Sequence, residues 1–74
     1  MDRAHILEHL AQAEEHVVLG QEHVDQQRHL IERLEHDGHD STGARALLVR
    51  FEEHLAMHIK DRDRLIRELA AAPE

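Results

Sequence analysis

Asp37-Gly38-His39-Asp40-Ser41-Thr42-Gly43 is the one stretch of this 74-residue chain where turn-forming residues cluster. Gly38 suits a helix C-terminus, because glycine takes a positive φ without a steric penalty. Asp40 or Ser41 suits the start of a second helix, where a side-chain oxygen accepts a free backbone N–H. Outside this stretch the only glycine is Gly20, and the one proline, Pro73, stands next to the last residue. The expected organisation is a single helical-hairpin domain over 1–74. Helix 1 runs from about Asp2 to Asp37, the turn covers 38–40, and helix 2 runs from about Ser41 to Ala72.

Apolar residues on either side of the turn recur every seven positions. In helix 1, Leu10, Val17, Val24 and Ile31 form one row, called a, and Ile6, Ala13, Gly20, Gln27 and Leu34 form the other, called d. Helix 2 places Leu48, Leu55, Arg62 and Leu69 at a, and Ala44, Phe51, His58, Leu65 and Ala72 at d. Such a repeat is the seam of a left-handed coiled coil. A short loop makes the two helices antiparallel neighbours. Leu7, Ile59 and Ile66 at e, with Leu30 and Leu47 at g, widen the stripe beyond what a two-stranded coil needs. The expected fold is therefore all-α: an antiparallel, coiled-coil-like hairpin that self-associates, most economically as a homodimeric four-helix bundle. A tetramer is the next order up, and two-fold symmetry is the commonest arrangement.

Size and composition agree with this. A chain this short buries only about 60% of the surface its unfolded form exposes and usually needs a disulfide, a metal or self-association. There is no cysteine, which removes disulfides and thiolate sites. Phe51 is the single aromatic residue, and the formal charge is -7 with neutral histidines. An acidic chain without stacking aromatics is a poor nucleic-acid binder. No apolar run exceeds four residues, far short of the roughly 20 that span a bilayer. The N-terminal MDRAHILEHL lacks the basic start and apolar core of a signal peptide. A soluble, cytoplasmic protein is expected, with no membrane and no nucleic acid among its partners.

Histidine is the unusual component, at nine residues of 74. Glu8-His9, Glu15-His16 and Glu22-His23 repeat at the heptad step, with each glutamate at the exposed position f and each imidazole at g. His29 and His36 also fall at f, and His39 lies in the turn. In an antiparallel pair g faces g, and two registers fit. One pairs Leu30–Leu47, His23–His54, His16–Asp61 and His9–Glu68. The other pairs Leu30–His54, His23–Asp61 and His16–Glu68. His58 and Arg62 lie on the apolar stripe itself, where a buried charge is costly unless paired. Gly20 leaves room beside them. Asp61, Asp63, Glu14 or a second chain are the available partners for Arg62.

Three functions are compatible with this pattern. The first is structural: a homo-oligomeric bundle acting as a structural or protein-interaction module, whose g imidazoles pair with carboxylates. In it, His58, Arg62 and Gln27 set register, and an unidentified protein partner docks on the bundle. The second is a metal site for zinc, iron or copper, or a haem. His54 and His58 are an i, i+4 pair on one helix face, with His23 and Asp61 as further ligands and the symmetry mate supplying more. His5 and His9 form another i, i+4 pair. The third is a pH-responsive assembly, since histidine titrates near neutrality. Enzymatic catalysis is not expected: Cys and Tyr are absent, and Ser41 and Thr42 read as helix-capping residues. A histidine phosphotransfer helix carries His followed by an acid. Here that order occurs only at His36-Asp37 and His39-Asp40, at the end of helix 1 and in the turn.

The runs EHVDQQRHLIERL (22–34), GHDSTGARALLVRFEEH (38–54) and HIKDRDRLIREL (58–69) are similar to short bacterial proteins of uncharacterised role. That resemblance implies a helical hairpin and no function. Locally, Leu55-x-x-His58-Ile59-x-x-x-Asp63 resembles the last helix of hemerythrins, in which the His and Asp bind a di-iron centre. The resemblance implies metal ligation by His58 and Asp63. The upstream ligand helices of that family are not reproduced in order, and a dimer would have to complete the bundle.

Overall fold

The computed structural model describes residues 2–73 and consists of two α-helices, α1 (Arg3–His36) and α2 (Thr42–Ala71), packed against each other as an antiparallel hairpin. The helices are long because good helix formers run uninterrupted between well-made ends. At the start of α1 the Asp2 carboxylate accepts the backbone N–H of His5 at 2.9 Å. That hydrogen bond holds the Asp2 carboxyl below its ordinary range.

The turn uses the residues the sequence offers. Gly38 has φ +73°. The His39 N–H reaches back to the Leu34 carbonyl at 2.8 Å and the Gly38 N–H to the Glu35 carbonyl at 3.2 Å, the two bonds of a Schellman C-terminus. The first residue of α2 is capped by Asp40 rather than Ser41. The Asp40 carboxylate accepts from the Thr42 N–H at 3.0 Å and the Thr42 hydroxyl at 2.7 Å, which lowers its affinity for protons. The Ser41 hydroxyl turns instead to Glu35, donating at 2.8 Å. Glu35 also accepts from Arg45 Nε at 2.9 Å and from Arg45 Nη2. One carboxylate on the last turn of α1 thereby ties down the first turn of α2. The Arg45 bonds, then the Ser41 bond, hold Glu35 below the usual carboxylate range.

The seam is the expected one. The buried residues are Ile6, Ala13, Val17, Val24, Gln27, Ile31 and Leu65, all from the a and d rows. Gln27, the polar member, donates to the Ala44 carbonyl at 2.9 Å. Contacts across the interface select the first of the two registers. A Cβ on Gly20 would lie 3.1 Å from Leu55 Cδ1, the His16 ring lies tilted beside His58, and the His23 ring lies tilted beside Phe51. Seven residues from the Gly20–Leu55 layer, the same geometry sets the small Ala13 opposite Arg62. Arg62 is half-buried and satisfied by its neighbour, with Nε and Nη2 donating to Asp63 at 3.1 and 3.0 Å.

The hairpin is thin. It measures 58 × 14 × 13 Å with a radius of gyration of 16.8 Å, whereas a compact domain of this length has about 11 Å. It exposes 5584 Å², against about 4,700 Å² for a compact monomer of its mass. Among the described residues, no helix is long and apolar enough to cross a membrane.

Candidate functional site

The heptad gives the hairpin two unlike flanks. On the e side, Gln21, Asp25, Arg28, Glu52, Ala56 and Ile59 line a shallow cleft, where Arg28 and Glu52 approach at 3.4 Å. Toward the open end this flank turns apolar, with Leu7, Val18 and Ile66 exposed. The g side carries the imidazoles. His16, Leu19, Gly20 and His23 from α1 line one groove with Phe51, His54 and His58 from α2, enclosing 380 Å³.

Each groove residue is placed by the register. His16 and His23 sit at g, either side of Gly20, whose missing side chain brings the two helices close at this level. His58, at d, points into the seam and is half-buried, while His54, one turn earlier, is exposed. The His16 and His58 ring centres are 5.1 Å apart at 46°. The His23 ring rests on Phe51 at 5.6 Å and 34°.

Of the candidate ligands, His23, His54 and His58 are brought to the same groove. Asp61 is not. It lines the adjoining cleft with His9, His16 and Leu65 and accepts from Arg64 Nη2 at 2.6 Å. Arg64 also donates to Glu68 at 3.0 Å. These two carboxylates, Asp61 first, hold the guanidinium above its ordinary basicity. Asp63 is engaged by Arg62 and does not line the groove. Among the described residues, no three His, Asp or Glu side chains stand close enough to hold a metal ion as they are placed.

His16 was absent from the expected ligand set; the sequence placed it opposite Asp61 or Glu68, and it lies between the groove and the adjoining cleft that Asp61 lines. The signal was present in the same register, because the neighbouring seam residue Val17 shares its layer with His58. The other histidines are dispersed. His5 lies 3.2 Å from Asp2 and His36 lies 3.3 Å from Asp37, both in solvent. A larger concavity of 610 Å³, lined by Met57, Lys60, Asp61, Arg64 and Arg67 with His58, lies along α2 alone. Its charged side chains are exposed, and Asp61 and Arg64 pair with each other.

Chemically, the groove offers nitrogen lone pairs and exchangeable protons beside an apolar wall. The chain shows no significant match to any protein-family model, curated protein or solved structure. The reading of function therefore rests on the geometry.

Proposed function

We propose that this chain is a non-catalytic, self-associating helical hairpin, a structural or protein-interaction module that reaches its full core as a homodimer. The observation that carries this is the excess surface: 5584 Å² exposed, against about 4,700 Å² for a compact monomer of this mass. The second copy docks on the e flank, where Leu7, Ile66 and Val18 are exposed beside half-buried Ile59. A two-fold along the hairpin's length sets equal levels together, so the apolar open-end patch meets itself and the Arg28–Glu52 zone meets its copy. Such a self-complementary surface is what an isologous interface requires. The product is the four-helix bundle expected from the three-position stripe. The absence of cysteine and tyrosine, with the Ser41 hydroxyl committed to Glu35 and the Thr42 hydroxyl to Asp40, supports a role without catalysis.

Sedimentation equilibrium tests this. The native chain should run at twice its 8.6 kDa mass, and Leu7→Glu with Ile66→Glu should give a monomer. A native chain that is folded and monomeric overturns the assignment, and a double variant that still dimerises overturns the choice of flank. A tetramer, or a dimer broken only by substitutions at Leu19 and Met57 on the g side, overturns the choice of flank.

A further inference from the structure

The imidazole groove lies on the flank opposite the proposed dimer face and has a use that self-association does not need. Two rings that ligate one tetrahedral ion through metal–nitrogen bonds of about 2.0–2.1 Å stand about 5 Å apart, centre to centre. His16 and His58 stand at 5.1 Å, one from each helix. His54 precedes His58 by one helical turn, which places both on the same face, and it lines the same groove. We infer that this groove binds one divalent transition-metal ion of the imidazole-preferring class, zinc, nickel or copper, through His16, His58 and His54.

The donor set defines the ligand. No carboxylate lines the groove, so calcium and magnesium, which require oxygen donors, are disfavoured. Neutral imidazole nitrogens suit zinc, copper and nickel. His16 and His58 hold the ligating separation in the free chain. Among the described residues no three donors stand together as a finished site, so binding requires side-chain rotation. His54 is exposed, so it can change rotamer and close the site without repacking the seam. His23 stays against Phe51, which leaves the fourth coordination position to water, as in open zinc sites. The hairpin's own backbone supports the site, since Gly20 holds the helices close at the level between the ligands.

The test uses the full chain, stripped with chelator and titrated with Zn(II) and Ni(II) by calorimetry at neutral pH. Co(II) is followed in parallel by its visible absorption. One ion should bind per chain, with the absorption of a tetrahedral nitrogen site. His16→Gln and His58→Gln should each weaken binding by more than the roughly 10–100-fold that loss of an outer-shell partner costs. His54→Gln removes an exposed ligand without touching the seam and should do the same, so the outcome is readable even if His58→Gln unfolds. His29→Gln with His36→Gln should leave binding unchanged. The Leu7→Glu, Ile66→Glu chain should also bind normally, which separates this result from failure of the dimer. No binding, binding retained in His16→Gln with His54→Gln, or binding lost with His29 and His36 would overturn the site.

Discussion

Leu65 and Ile66 are adjacent in sequence and opposite in circumstance, and truncating each to alanine separates the hairpin from its assembly. Leu65 is 2% exposed within one hairpin, so Leu65→Ala should cost about 2–5 kcal/mol per chain in any oligomeric state. Ile66 is 46% exposed. In a free-standing hairpin its truncation forfeits only about half of the 1.5–3 kcal/mol that full burial is worth, which is about 1 kcal/mol. Covered by a second copy, the same truncation leaves a cavity and costs about 2–5 kcal/mol per chain. The assay is urea denaturation followed by far-UV circular dichroism at two protein concentrations about a hundredfold apart, a step that adds about 2.8 kcal/mol of apparent stability to a dimer and none to a monomer. The native chain should unfold at higher urea when concentrated. Ile66→Ala should approach Leu65→Ala in cost. A midpoint independent of concentration, with Ile66→Ala costing no more than about 1 kcal/mol, would refute the dimer and the face assigned to it.

Three further outcomes follow from local geometry. Gly20→Ala should stabilise the helix by up to about 1 kcal/mol, because its one close neighbour, Leu55 Cδ1 at 3.1 Å, is the tip of a half-buried side chain that can turn away. Gly20→Val should destabilise, since Leu55 Cβ and Cα at 3.6 and 3.7 Å leave no space for more atoms; thermal melts of the two variants check the pair. Gly38→Ala should cost about 1–2 kcal/mol, because the φ of +73° is required although no atom lies within 4 Å of the new methyl. Glu35→Gln should lower the melting temperature at neutral pH. Folding depresses the Glu35 pKa, so its stabilisation is complete above the unfolded value and is lost as pH falls through the folded one. The difference between native and Glu35→Gln melts should therefore persist above about pH 5 and close as acid carries the pH below the ordinary glutamate range; a difference that grows with acid would contradict the sign.

The two helices and the turn were legible because they depend on local physics. Gly38 needs a backbone region that other residues enter at a cost, and Asp40 and Ser41 both have the chemistry to cap. Which of the two capped α2 was not legible, since Ser41 had a competing acceptor in Glu35, six residues back. The buried rows were readable from the seven-residue spacing alone. So was the need of Arg62 for a partner, but the choice of Asp63 over Glu14 or Asp61 depended on side-chain reach.

By itself, the sequence determined the helical periodicity, the turn, and the placement of the repeated imidazoles at g. Each is a matter of residues close along the chain, or of a phase repeated down one helix. The register was a different kind of quantity. Two alignments one heptad apart satisfied the same apolar pattern, because a seven-residue slip returns every row to its own face. Only the packed structure separated them. The contact of Gly20 with Leu55 set the helices close at one level, and that level brought His16 onto His58 and left Asp61 outside the groove. The placing of four imidazoles along one groove is thus a tertiary fact, decided where the smallest side chain lets the backbones approach.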